Sequence, residues 1–172
     1  ALWIAEYTGE RLDVFAAAIA ELRRMQVAHK VLVIGDGPAR GWFEGAMPGA
    51  SFAGFQTGRD LGRALASADV FFNPSVTETF GNVTLEAMAS GLPVVAAGAT
   101  GAASLVVDGE TGALVPPGDA AAFARALAPY CTEPALLREH GDAGERRARA
   151  YSWDAINQAV VDAYLRLRER KR

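Results

Sequence analysis

An α/β fold built on a doubly wound, Rossmann-like parallel sheet follows from three observations. Short β-branched runs alternate with longer helical patterns, the runs are apolar throughout, and Gly, Pro or Asn closes most of them. Parallel neighbours need a crossover of a dozen or so residues, which the helical stretches supply. A strand covered on both faces loses its polar alternation.

The elements follow in order. Leu2–Ala5 reads as a strand. Leu12–Met25 places Leu12, Phe15, Ala16, Ile19 and Leu22 at helical spacing, with charge on the opposite face. Lys30–Ile34 is an apolar strand ended by Gly35-Asp36-Gly37-Pro38, and Pro38 is expected in the first turn of a short helix. Ser51–Phe55 reads as a strand, Gly58–Ser67 as a small helix and Asp69–Asn73 as a strand. Asn82–Ser90 is a helix stopped by Gly91 and Pro93, with Leu85, Met88 and Ala89 expected on its core side. Pro93–Ala97 and Gly112–Val115 make about six strands in all. Asp119–Tyr130, Pro134–Ala150 and Trp153–Arg170 are three successive helices, the last capped by Ser152.

Length and charge narrow the function classes. The 172 residues suit one domain, able to bury about 70% of its unfolded surface. A 51% hydrophobic composition excludes intrinsic disorder, and one cysteine excludes a disulfide scaffold. With 17 Lys+Arg against 20 Asp+Glu the formal charge is −3, so a nucleic-acid binder driven by phosphate contacts is not expected. No apolar run reaches the ~20 residues of a membrane span. The opening ALWIAEYTGE lacks the basic and apolar regions of a signal peptide, and a cytoplasmic location is expected. The basic tail Arg166–Arg172 reads as a solvated helix end, with membrane-surface contact as the alternative.

In open α/β sheets ligands bind beyond the C-terminal ends of the strands. Three loops there carry unusual residues: Gly35–Pro38, Asn73–Asn82 and Ala97–Gly101. The second is the most informative. Gly81 permits a positive φ or a close ligand approach, and the helix beginning at Asn82 offers unpaired N–H groups to an anion such as a diphosphate. Glu78 and Glu86 flank that helix start, and carboxylates are good acceptors for paired hydroxyls. On spacing alone, an exposed acid at Glu86 and a helix cap at Asn82 explain the same residues, and both readings stay open.

The segment ETFGNVTLEAMASGLPVVA holds Glu78 and Glu86 in an E-x7-E arrangement. Together with RLDVF, VLVIGDGP, FAGF, ASADVFFNPS, DGETGALVPPGD and YSWDAINQAVVDAY, it resembles the donor-binding C-terminal half of family-four retaining glycosyltransferases of GT-B fold, mannosyltransferase-like members included. The motifs occur in order over nearly the whole chain. The resemblance implies a single nucleotide-sugar-binding domain over residues 1–172, with the N-terminal acceptor-binding half absent. It implies a donor such as GDP-mannose or a UDP-hexose, a lipid or glycan acceptor, no metal and no further cofactor. Membrane contact would then belong to the full-length enzyme.

Residue by residue, the resemblance places Glu78 at the catalytic centre, holding hydroxyls of the donor hexose, and Glu86 on the ribose. Backbone N–H groups of Phe80, Gly81 and Asn82 would meet sugar and diphosphate, with Val83 beside them. Gly35, Asp36, Gly37, Gly54 and Phe55 would border the nucleobase. Retention is usually ascribed in this family to front-face attack through an oxocarbenium-like state, so neither glutamate need be a nucleophile.

Two departures stand out. Family members carry a Gly-Arg and then a Glu-Lys pair ahead of the first helix, and the two cations neutralise the leaving diphosphate. Here the Arg position falls on Ala5 and the Lys position on Glu10, with Arg11 the nearest remaining cation. Losing one such donor typically costs ~3–4 kcal/mol of transition-state stabilisation. The second departure is the missing acceptor half. Binding without efficient turnover is therefore expected, the alternative being a non-catalytic, excised or engineered Rossmann-like folding module with no ligand.

Gly35-Asp36-Gly37-Pro38-Ala39-Arg40-Gly41 is not the G-x-G-x-x-G dinucleotide fingerprint, and no P-loop motif occurs. His29 and His140, without a ligand cluster, read as surface residues. Cys131 reads as a packing residue, and Trp3, Trp42 and Trp153 as core or interface aromatics.

Overall fold

The computed structural model describes residues 2–6 and 11–169, with only the backbone given for 2–6, Trp153 and Glu169. The strands are β1 (Leu2–Glu6), β2 (Lys30–Ile34), β3 (Ser51–Phe52), β4 (Val70–Asn73), β5 (Val94–Ala97) and β6 (Gly112–Val115). The helices are α1 (Leu12–Arg24), α2 (Arg40–Ala46), α3 (Gly58–Ala66), α4 (Asn82–Ala89), α5 (Thr100–Leu105), α6 (Ala120–Thr132), α7 (Pro134–Ala148) and α8 (Trp153–Glu169). All pairings are parallel, in the order β3-β2-β1-β4-β5-β6. The order reverses between β1 and β4, so the crevice of a doubly wound sheet opens there.

The sheet separates two cores, as expected for apolar strands covered on both sides. On one face Phe72 stacks on Phe15 with ring centroids 4.6 Å apart and meets Phe123 at 5.1 Å, joining β4 to α1 and α6. On the other, Phe71, Val94, Ala96, Met88 and Leu105 pack β4 and β5 against α4 and α5. β4 alternates between the two cores, and all four of its residues are buried.

Several local expectations are corrected. The loop expected at Ala97–Gly101 is shorter, because Thr100 and Gly101 already belong to a helix, Thr100–Leu105. Pro38 lies in a turn ahead of α2, where Arg40 N–H bonds to Gly37 O, rather than in the helix itself. The strand at Ser51 stops at Phe52 because Gly54 takes a φ of +68°. The buried face of α4 is Thr84, Ala87 and Met88, while Leu85 is partly buried and Ala89 is exposed. His140 is buried, its Nδ1 2.9 Å from the Tyr130 hydroxyl across α6 and α7. Trp42 is 54% exposed with its ring stacked on that of Phe43, so of its two readings only the core one is set aside, and the side chains of Trp3 and Trp153 lie outside those described. Ser152 Oγ does cap α8, accepting from Ala155 N–H at 3.2 Å. Among the described residues no helix is long and apolar enough to cross a membrane.

Candidate functional site: the loop between β4 and α4

β4 delivers its last residue, Asn73, to the C-terminal edge of the sheet beside the point where strand order reverses. The following loop returns as α4, whose N-cap is Gly81 with φ +91°, a left-handed conformation that glycine adopts without steric cost. No side chain caps this helix start. Its first N–H groups are left for solvent or a ligand. Asn82 is the first helical residue, so its reading as a helix cap is set aside.

Ser75, Thr77, Glu78, Thr79, Phe80, Gly81, Asn82 and Val83 line one depression of about 360 Å³. Glu78 is half-buried there. Its Oε2 accepts from Asn73 Nδ2 at 3.1 Å, and a Cβ placed on Gly81 would stand 3.3 Å from the same oxygen. Burial pushes the Glu78 carboxyl above its ordinary range, and the neighbouring Asn73 amide and Thr84 hydroxyl oppose that shift. Thr84 Oγ1 is buried and closes no hydrogen bond of standard geometry, and Ser75 Oγ is likewise unpaired.

Glu86 stands apart from Glu78. It is exposed on the second turn of α4 and lines a neighbouring depression of about 280 Å³ with Gly58, Leu61, Leu65 and Ala89. The E-x7-E pair thus addresses two separate hollows, one at the start of α4 and one between α3 and the later part of α4. The glycines Gly35 and Gly54 are brought together by a Gly35 N–H to Gly54 O bond of 2.8 Å. Asp36 turns back on its own loop, accepting from Gly37 N–H at 2.8 Å and from Arg40 at 3.2 Å. Phe55 projects into solvent at 76% exposure, and Phe80 is 41% exposed with its ring edge-on to Tyr151.

The support of the Glu78 loop was not anticipated. Gly101, in the first turn of α5, donates its N–H to Glu78 O at 2.8 Å, and Thr100 Oγ1 reaches Val76 O at 3.4 Å. A Cβ on Gly101 would lie 2.4 Å from the carbonyl carbon of Phe80. The sequence clue is the glycine that follows Ala99-Thr100. Of the cation positions, Ala5 falls in β1 and Glu10 lies outside the described residues. Arg11 caps α1 with φ 58°, pairs with Asp13 at 3.2 Å, and has its guanidinium against Gly118 in the loop after β6. No group of three metal-ligating side chains gathers among the described residues.

A family model described as glycosyl transferases group 1 matches residues 1–132. The chain belongs to this family. It shares 43% identity over 98 residues with a D-inositol 3-phosphate glycosyltransferase of Streptomyces avermitilis, which is 57% of this chain and 21% of that protein. It is 34% identical over 145 residues to a GDP-mannose-dependent alpha-mannosyltransferase of Mycobacterium tuberculosis, covering 84% of this chain and 38% of the relative. A variant of S. aureus TarM, solved with fondaparinux, alpha-GlcNAc-glycerol and UDP, superposes with a TM-score of 0.85 at 17% identity, over 94% of this chain and 34% of that one. The group 1 domain described here is therefore one of GT-B glycosyltransferase fold. It spans well under half the length of these relatives.

Proposed function

We propose that this group 1 domain is the donor-binding part of a retaining hexosyltransferase. It would hold GDP-mannose or a UDP-hexose across the start of α4 for transfer to a lipid or glycan acceptor, with the acceptor-binding half lying outside residues 1–172. The observation that carries the reading is the half-buried Glu78 carboxylate set against the uncapped, glycine-initiated N-terminus of α4. N–H groups and the positive end of the helix dipole suit a diphosphate, and a desolvated carboxylate beside them suits sugar hydroxyls. Glu86, in the hollow between α3 and α4, takes the ribose diol. The turn formed by Gly35 to Gly37 and the one at Gly54 and Phe55 border the base.

In transfer, the N–H groups of Asn82 and Val83 would stabilise charge on the leaving diphosphate, while Glu78 fixes the orientation of the hexose. Ala5 supplies no cation at the C-terminal end of β1, and we expect binding to outlast turnover.

Calorimetry with UDP, GDP and GDP-mannose tests this. At least one nucleotide should bind saturably, and Glu86→Ala should weaken it about tenfold, the loss of a charge-assisted bond of ~1.5 kcal/mol. A folded chain that binds none of the three would refute the reading and favour a ligand-free folding module. Turnover at ordinary enzymatic rates would refute the expected inactivity.

A further inference from the structure

We propose that Asn73 is a positioning residue for sugar recognition: its amide holds the Glu78 carboxylate while its carbonyl oxygen holds the loop backbone that carries Glu78. The inference rests on the reading of Glu78 as the hexose-binding acid.

β4 is Val70-Phe71-Phe72-Asn73, an apolar strand whose last residue is an amide only 8% exposed. A buried amide is costly unless its donor and acceptor find partners. Both do. Asn73 Oδ1 accepts from Ser75 N–H at 3.0 Å, and Nδ2 donates to Glu78 Oε2 at 3.1 Å. The first bond alone is an ordinary turn-forming contact between an Asn side chain and the backbone two residues on. The second has no such local explanation, because it spans five residues to a carboxylate in the depression.

The anchor is rigid. Asn73 is held in register with Ala96 of β5, in the interior of the sheet. Sites built on strands are more precise than sites built on loops. Donor chemistry also matters. A carboxylate has about four lone-pair sites. A neutral amide occupies one and leaves the charge intact, whereas a lysine or arginine at this position would compete with sugar hydroxyls for it. Thr84 Oγ1 stands near the same carboxylate without closing a bond of standard geometry.

The discriminating variant is Asn73→Asp, which keeps the acceptor for Ser75 N–H and replaces the donor toward Glu78 with an oxygen. Calorimetry on the full chain compares GDP-mannose with GDP and UDP-glucose with UDP, and the readout is the affinity ratio contributed by the hexose. Asn73→Asp should lose about tenfold or more of that ratio while affinity for GDP or UDP alone stays within about twofold. Acidification should restore part of the ratio, because two facing carboxyls share a proton. The reversed pair, Asn73→Asp with Glu78→Gln, keeps a donor and an acceptor in contact. It should melt close to wild type yet show no hexose-dependent gain, separating positioning from folding. Glu78→Gln alone should abolish the ratio. If Glu78→Gln abolishes it and Asn73→Asp preserves it, the positioning role is overturned and the donor reading stands. If Glu78→Gln preserves it, or wild type shows no hexose-dependent gain, both are overturned.

Discussion

Replacing Gly101 by alanine puts the proposed site under direct strain. The added Cβ would lie 2.4 Å from Phe80 C, 2.5 Å from Phe80 O and 2.8 Å from Gly81 N, all backbone atoms. Ordinary carbon contacts begin near 3.5 Å, so α5 and the Glu78 loop must separate by about 1 Å. Overpacking of this kind costs about 1–3 kcal/mol. The Gly101 N–H to Glu78 O bond of 2.8 Å would stretch as well, adding about 1 kcal/mol. For a chain of this size each kcal/mol lowers the melting midpoint by about 2–4 °C. A shift of about 1 Å at Phe80 and Gly81 moves the N–H groups assigned to the donor, and losing one charge-assisted bond of ~1.5 kcal/mol weakens binding about tenfold. The matched control is Gly141→Ala, whose Cβ would stand 2.2 Å from Gly91 O in the turn that follows α4. Thermal melts and nucleotide-sugar calorimetry on both variants should show comparable destabilisation but a binding defect only for Gly101→Ala. Wild-type affinity in a destabilised Gly101→Ala would refute the claim that α5 props the site.

Other consequences are accessible to simple measurements. Because burial raises the Glu78 pKa, the folded state favours its protonated form, and that contribution to stability is complete below the unperturbed 4.5 and lost as pH rises through the folded value. Glu78→Gln should therefore melt higher than wild type at pH 7, with the difference vanishing below about pH 4.5, and no difference at pH 7 would contradict the buried carboxylate. Tyr130 is pushed up to about 12 by burial, with the Asp108 carboxylate adding to it. Its contribution is complete below pH 10 and lost on the way to about 12, a change of ~2–3 kcal/mol that Tyr130→Phe should lack in alkaline denaturation. Tyr130→Phe should also cost about 1 kcal/mol at neutral pH through the lost bond to His140. Ala5→Arg should raise affinity for GDP and UDP about tenfold, read by calorimetry, if position 5 faces the diphosphate.

What was legible in the sequence was whatever local chemistry decides. β4 and β5 are short runs in which every residue is buried, and such runs betray strands covered on both faces. α5 was not legible because Thr-Gly-Ala-Ala-Ser-Leu is too short for its alanines and leucine to signal a helix, and it lacks a start signal: Ala99 offers no capping side chain, and Thr100 begins it at φ 43°. Its support comes from far along the chain. Arg147 Nε donates to Leu105 O at 2.6 Å and Nη2 to Ser104 O at 3.2 Å, satisfying carbonyls at its end. His140 reads as a surface residue when judged only by the lack of a ligand cluster around it. Yet it falls three residues after Leu137 and three before Ala143, on the stripe of α7 that packs inward. Its partner, Tyr130, belongs to another helix.

The same distinction separates the two glutamates. E-x7-E fixes a separation along the chain and says nothing of burial, which three elements decide, one of them distant in sequence. The end of β4 supplies Asn73, the start of α5 grips the loop through Gly101, and the glycine opening α4 lets the Glu78 carboxylate sit close to the backbone. Glu78 is thereby half-desolvated before any ligand arrives, whereas Glu86 remains exposed one hollow away. A carboxylate already stripped of water gives up less hydration when it accepts a hydroxyl, and it is costlier to leave unpaired. In the proposed reading, discrimination between donor sugars then concentrates at Glu78. Glu86 contributes affinity common to every nucleotide sharing the same ribose, so substitutions at the two acids should alter different quantities: the hexose-dependent ratio for Glu78, and the affinity of the bare nucleotide for Glu86.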